Sequence, residues 1–212
     1  PLISSILFFL NKLFGKNCFI GKCDALQAYF VHIPKAAGSS ISLSIFGFQV
    51  GHLDFQQYYK LDKNKSMDYF SFTFVRHPLD RFISAYSFLE QGGMNDSDKE
   101  LFIKEIQPYG GINDFIENLT LEKLDGFLHF RQQYKFLCSE FSDIPQVKFV
   151  GRFENMVEDF KFIKSKINLN VELPNLNKTT QSPNYEILTP KSIIKLKVLY
   201  KKDLYLFGYN LL

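Results

Sequence analysis

A lysine, a glycine and two serines (Lys35, Gly38, Ser39 and Ser40) lie within one short stretch, Tyr29 to Ser40, that reads YFVHIPKAAGSS. Together these residue types can hold an anion. Ala36, Ala37 and Gly38 let the backbone come close to a ligand, Ser39 and Ser40 bring hydroxyl donors, and Lys35 brings a mobile cation. The apolar run Phe30, Val31 and Ile33 breaks at Pro34, and a helical pattern of Ile41, Leu43, Ile45 and Phe46 follows. The order is strand, tight turn, helix start. Unpaired N–H groups at a helix start attract phosphate.

The stretch departs from the phosphate loop of nucleoside triphosphatases, G-x-x-x-x-G-K-[ST]. Its lysine stands three positions before Gly38 instead of directly after it. Such enzymes also need an acidic residue at the end of a second strand to help hold magnesium. The candidate second strand, Tyr69 to Val75, runs into Arg76. Arginine pairs with phosphate directly and in bidentate fashion, so a phosphorylated nucleotide held without a metal fits better than ATP hydrolysis. Beyond Arg76, Pro78 suits the first turn of a helix. Leu79, Phe82, Ile83, Tyr86 and Leu89 then form one apolar helical stripe. Ser84 lies off that stripe and faces either solvent or a ligand at the strand end.

Histidine is the natural proton acceptor near neutral pH, and the chain has four. His32 belongs to the first strand, where a structural role is expected, and His77 sits between Arg76 and Pro78 as a turn residue. His52 follows a short segment, Phe48 to Gly51, read as a strand, and precedes a helix; this puts it at the ligand edge of a sheet. His129 lies in HFRQQY with Arg131 and Gln133. Glu154 is a further carboxylate, and its place after Arg152 suggests an ion-paired structural group.

VHIPKAAGSS and FVRHPLDRFISAY together resemble the two cofactor motifs of the sulfotransferases that use 3′-phosphoadenosine 5′-phosphosulfate (PAPS). The likeness is to the carbohydrate-type branch, sulfotransferase family 2. Three later segments follow that family's order: Val150 to Asn155 (VGRFEN), Leu173 to Thr179 (LPNLNKT) and the tail Tyr200 to Tyr209, with its F-G-Y ending. The resemblance spans Tyr29 to Tyr209. It implies that Lys35, Ala36, Ala37, Gly38, Ser39 and Ser40 grip the 5′-phosphosulfate end, and that Arg76 and Ser84 hold the 3′-phosphate. Asn177, Lys178 and Thr179 would help close over the cofactor. The product would be adenosine 3′,5′-bisphosphate, and no metal is called for. His77 stands where the family often has Asn or Asp. Lys35 would stabilise the departing phosphate, and His52 matches the family's base. His129, in a segment like the family's H-x-x-P-Q with Gln132 replacing the proline, is the reserve base. The resemblance also implies a saccharide hydroxyl as acceptor, with His52, His129, Arg131 and Gln133 facing it. Two other readings remain: a divergent nucleotide kinase or ATPase, and a PAPS-binding module without turnover.

These residues need a scaffold. Helical patterns cover 39–46, 54–61, 78–90, 153–168 and 190–207, and strands are expected at 28–33, 48–51, 68–75 and 146–150. The middle, 98–137, reads as helical and loop-rich. Such alternation predicts an α/β chain: a P-loop-like three-layer fold with a central, mostly parallel sheet flanked by helices. Its ligand should sit at the carboxyl ends of the strands. With 212 residues, 46% of them apolar, a single domain over 28–212 can bury its own core. A net charge of +3 gives no argument for nucleic acid. Three cysteines, Cys18, Cys23 and Cys138, make no zinc site; they favour a reducing compartment and leave a single Cys18–Cys23 bridge open.

Residues 1–27 read as an extension. Leu2 to Phe14 suits an amphipathic helix packed on the domain or a partner, with peripheral membrane contact as a further option. It falls short of the roughly 20 apolar residues of a membrane span. A cytoplasmic location is expected, or the Golgi lumen if the chain is a piece of a longer protein, because animal members of the resembled family are anchored there.

Overall fold

Aromatic and β-branched residues dominate the first two strands. β1 (Ala28–Val31) is buried at every position, and β2 (Phe70–Val75) at all but its first. Strands buried at successive positions belong to a sheet covered on both faces. The buried hydroxyls of β2 are both paired: Thr73 donates to the Val31 carbonyl at 2.7 Å, and Ser71 accepts from the Lys148 N–H at 3.1 Å. β3 (Phe149–Arg152) completes a parallel sheet in the order β1-β2-β3. The computed structural model describes residues 20–139, 141–173 and 184–210.

Helices flank this sheet. α1 (Gly38–Phe46), α2 (Phe55–Leu61) and α3 (Lys63–Asp68) lie between β1 and β2. α4 (Pro78–Glu90) starts just after β2 with Pro78 in its first turn, over the range that the apolar stripe predicts. α5 (Asp96–Leu101), α6 (Ile112–Glu117) and α7 (Leu121–Gly126) fill the middle, and α8 (Met156–Lys166), α9 (Pro190–Leu199) and α10 (Lys201–Leu206) follow β3. One core joins the sheet to Ile41 and Ile45 of α1 and to Phe160 and Ile163 of α8. A second gathers the α4 stripe with Phe115, Phe130, Leu196 and Tyr200.

Three expectations need correction. Residues 48–51 form no strand; the Val50 carbonyl accepts from the His32 side chain at 3.0 Å, so it does not enter a ladder. The third strand begins at Phe149, later than expected, because the Lys148 N–H is spent on the Ser71 hydroxyl. The last helix is two, broken at Tyr200, which is fully buried and donates its hydroxyl to the Phe130 carbonyl. The expected helix over 2–14 lies outside the described residues, as do Cys18, Asn177, Lys178 and Thr179. No helix among the described residues is long and apolar enough to cross a membrane.

Candidate active site

Parallel strands end at one edge, and the loop after β1 and Arg76 after β2 both stand there. After β1 the chain turns through 34–37, with Lys35 at φ 63° and Ala37 at φ 66°. Left-handed backbone at non-glycine residues costs of order 1–3 kcal/mol each and persists only where the surroundings enforce it. Ala37 is the N-cap of α1 and offers no side-chain cap. The helix start is therefore left with backbone N–H groups to offer a ligand. A Cβ on Gly38 would sit 1.8 Å from the His32 ring, so only glycine fits.

His32 is structural. It is buried and donates Nδ1–H to the Val50 carbonyl, and burial holds its pKa down at about 3. Its own carbonyl accepts from His52 Nδ1 at 2.9 Å, and the two rings lie 4.1 Å apart. Because a carbonyl can only accept, the His52 proton is on Nδ1 and its Nε2 carries the lone pair. Burial, foremost, lowers the His52 pKa, and so keeps that lone pair available at neutral pH.

Lys35 lies with Nζ 3.9 Å from the centre of the Phe88 ring. Its pKa falls to about 8, mainly through burial and then through the positive charge of Arg76, with Asp98 pulling the other way. His129 packs on the same Phe88 ring, at 5.2 Å, and its Nε2 is 3.1 Å from Asp98 Oδ1. The field of His129 reaches His52, and that of Lys35 reaches His129. Lys35 and His129 thus share the Phe88 ring, and His52 packs on His32.

Arg76 stands just beyond β2. Its Nε is buried without a hydrogen-bond partner among the described residues, and its guanidinium lies 4.3 Å from the Phe153 ring. Burial lowers its pKa, partly opposed by Asp80 and Glu154. A buried cationic donor left unpaired is costly, so the geometry suits an incoming anion. Ser84 sits half-buried on α4, one turn beyond Asp80. A cavity of about 440 Å³, lined by His77, Asp80, Glu154, Tyr185 and Tyr209 among others, opens beside Arg76.

The remaining candidates have other partners. Gln133 is fully buried; its amide accepts from the Arg76 N–H at 3.0 Å and donates to the Arg76 carbonyl at 2.9 Å. It braces Arg76 from behind. Arg131 donates from Nε to the Asp125 carbonyl at 3.1 Å. Glu154 is structural as expected, though through the His77 N–H and the Tyr209 hydroxyl instead of through Arg152. Arg152 is drawn to the Phe207 carbonyl of the F-G-Y tail.

Three contributors escape the sequence reading. Arg81 is fully buried and donates to the carbonyls of Pro34, His129, Phe130 and Arg131, so it ties the β1 loop to the His129 segment. Asp203, equally buried, accepts from the N–H groups of Gln133 and Tyr134. Asp98 pairs with His129. Asp98 stands in a run of polar residues that reads as a solvated surface, and no spacing marks it.

The model of the Sulfotransferase family matches residues 23–210. The chain belongs to that family. Its activity is accordingly that of a sulfotransferase, and the loop after β1, Arg76 and the F-G-Y tail all lie within the matched span. No curated protein and no solved structure matches the chain.

Proposed function

We propose that this sulfotransferase moves the sulfuryl group of PAPS to a hydroxyl of a saccharide acceptor, without a metal ion. One observation carries the reading: the Nε of Arg76, buried without a partner among the described residues, and the start of α1, without a side-chain cap, stand at the same ends of adjacent parallel strands. Two separate anion sites suit a nucleotide phosphorylated at both ends.

PAPS, when bound, supplies a sulfuryl group activated on its 5′-phosphate. The amides at the start of α1, the hydroxyls of Ser39 and Ser40 and the Lys35 ammonium neutralise the charge that grows on the departing phosphate. Ala36, Ala37 and Gly38 let the backbone approach. Arg76 and Ser84 hold the 3′-phosphate, and Gln133 braces Arg76. His52 Nε2 takes the proton of the acceptor hydroxyl as the new O–S bond forms and the S–O bond to phosphate breaks. His129 and Arg131 lie on the acceptor side. The domain covers 28–212, residues 1–27 are an extension, and the cytoplasm is the proposed location.

Calorimetric titration with adenosine 3′,5′-bisphosphate, with and without EDTA, tests the donor half. Metal-independent binding is expected; binding of ATP that requires Mg²⁺, with none of the bisphosphate, would overturn it. Transfer of radiolabelled sulfate from PAPS to a panel of glycans tests the acceptor half.

A further inference from the structure

Asp98 is held more tightly than a surface carboxylate in a short helix needs. Its side chain is only 15% exposed. Oδ2 accepts from the Met94 N–H at 3.0 Å and Oδ1 faces His129 Nε2 at 3.1 Å, so both oxygens are oriented. The turn before α5 presses on it: a Cβ on Gly93 would come within 2.1 Å of the Asp98 Cβ. His129 is pinned as firmly, by Arg81 on its carbonyl at 3.0 Å and by Phe88 on its ring.

This fixes the His129 proton. A carboxylate accepts, so Nε2 carries the hydrogen and Nδ1 a lone pair. That Nδ1 is buried without a partner among the described residues. The charged and titratable groups that act on the two rings are Lys35, Arg81 and Asp98 on His129, and His32, His129 and Asp98 on His52. Asp98 supplies negative charge to both histidines and to Lys35. A hydroxyl has one proton to give. If His52 receives that of the attacking hydroxyl, the lone pair of His129 matches a different one.

Resting on the sulfotransferase reading above, we propose that Asp98 is a positioning residue. Its carboxylate orients His129 so that Nδ1 accepts a hydrogen bond from an acceptor hydroxyl next to the one sulfated.

The test compares Asp98→Asn and Asp98→Glu with the parent chain. Asparagine keeps the volume and can still accept from the Met94 N–H, but it lacks the charge. In Asp98→Asn the NMR titration of the His129 ring should move toward acid by about 1 pH unit or more, since an anion at hydrogen-bond distance is lost. kcat/KM for the best glycan of the panel should fall about tenfold or more. Adenosine 3′,5′-bisphosphate should bind as before, and Asp98→Glu should recover part of the loss. An unmoved His129 titration would overturn the proposal. So would equal losses in both variants accompanied by loss of bisphosphate binding, the pattern of a merely structural carboxylate. If the parent chain binds no bisphosphate, the PAPS reading fails on its own, and the His129 titration still judges Asp98.

Discussion

The junctions after β1 and after β2 are both strand-to-helix turns proposed to hold an anion, yet they are built from opposite materials. The first uses backbone. Small residues, left-handed φ at Lys35 and Ala37 and an uncapped helix start present N–H groups, and two histidines bind the next loop to the strand end. The second uses a side chain. Pro78 starts α4 with no N–H to offer, and the proposed ligand group is the Arg76 guanidinium, whose residue is held at its backbone N–H and carbonyl by Gln133 and, behind that, by Asp203. Backbone dipoles set close to a reacting centre serve a charge that develops during reaction. A side-chain fork serves a phosphate whose charge never changes. The first junction should therefore govern turnover and the second affinity.

The sharpest test of that division is His52→Ala, expected to lower turnover by about 10²–10⁴ with bisphosphate binding intact. Lys35→Ala should lower kcat by about 10²–10³. If either variant lost bisphosphate binding and kept its turnover, the comparison would break. Arg76→Ala should do the reverse: weaken adenosine 3′,5′-bisphosphate by about 1.5–3 kcal/mol in calorimetry, with kcat near that of the parent at saturating PAPS.

Gly38→Ala probes the first junction through stability. Its methyl group enters the His32 ring, and overpacking of this kind costs about 1–3 kcal/mol, to be read as a lower urea midpoint.

The pH profile is a gentler probe. kcat/KM for PAPS reports the free enzyme and should fall above about 8 as Lys35 loses its proton. It should also fall on the acid side, below the ordinary histidine value of 6.5, as His52 gains one. Stability has its own dependence. His32 has a pKa of about 3 in the fold against the ordinary histidine value of 6.5, so the unfolded chain binds the extra proton between those values. The stabilisation is present above 6.5 and is lost as pH falls toward 3. A thermal midpoint that stayed flat from pH 7 to 4 would argue against a buried neutral His32.

The legible parts of the molecule share a cause. α4 follows the sequence because its stripe, its N-terminal proline and its length are local signals, and β1 and β2 follow because aromatic and β-branched residues dominate them. The misread strand at 48–51 has the right residue types, but its Val50 carbonyl is taken by the His32 side chain instead of a ladder. The break at Tyr200 is similar: the local pattern continues the helix, and a hydroxyl bond to Phe130, far away in the chain, ends it. Arg81 hides inside a recognisable motif because its partners are carbonyls, which no side-chain pattern records.

By itself the sequence determined which residues can meet an anion and that each stands where a strand passes into a helix, because those signals lie within a few residues of one another. Only the tertiary structure decided which histidine nitrogens are left without a proton, that Gln133 serves Arg76, and that Asp98 reaches His129 across 31 positions of chain. Those outcomes depend on carbonyls and carboxylates brought close by packing, and spacing along a chain carries no record of them.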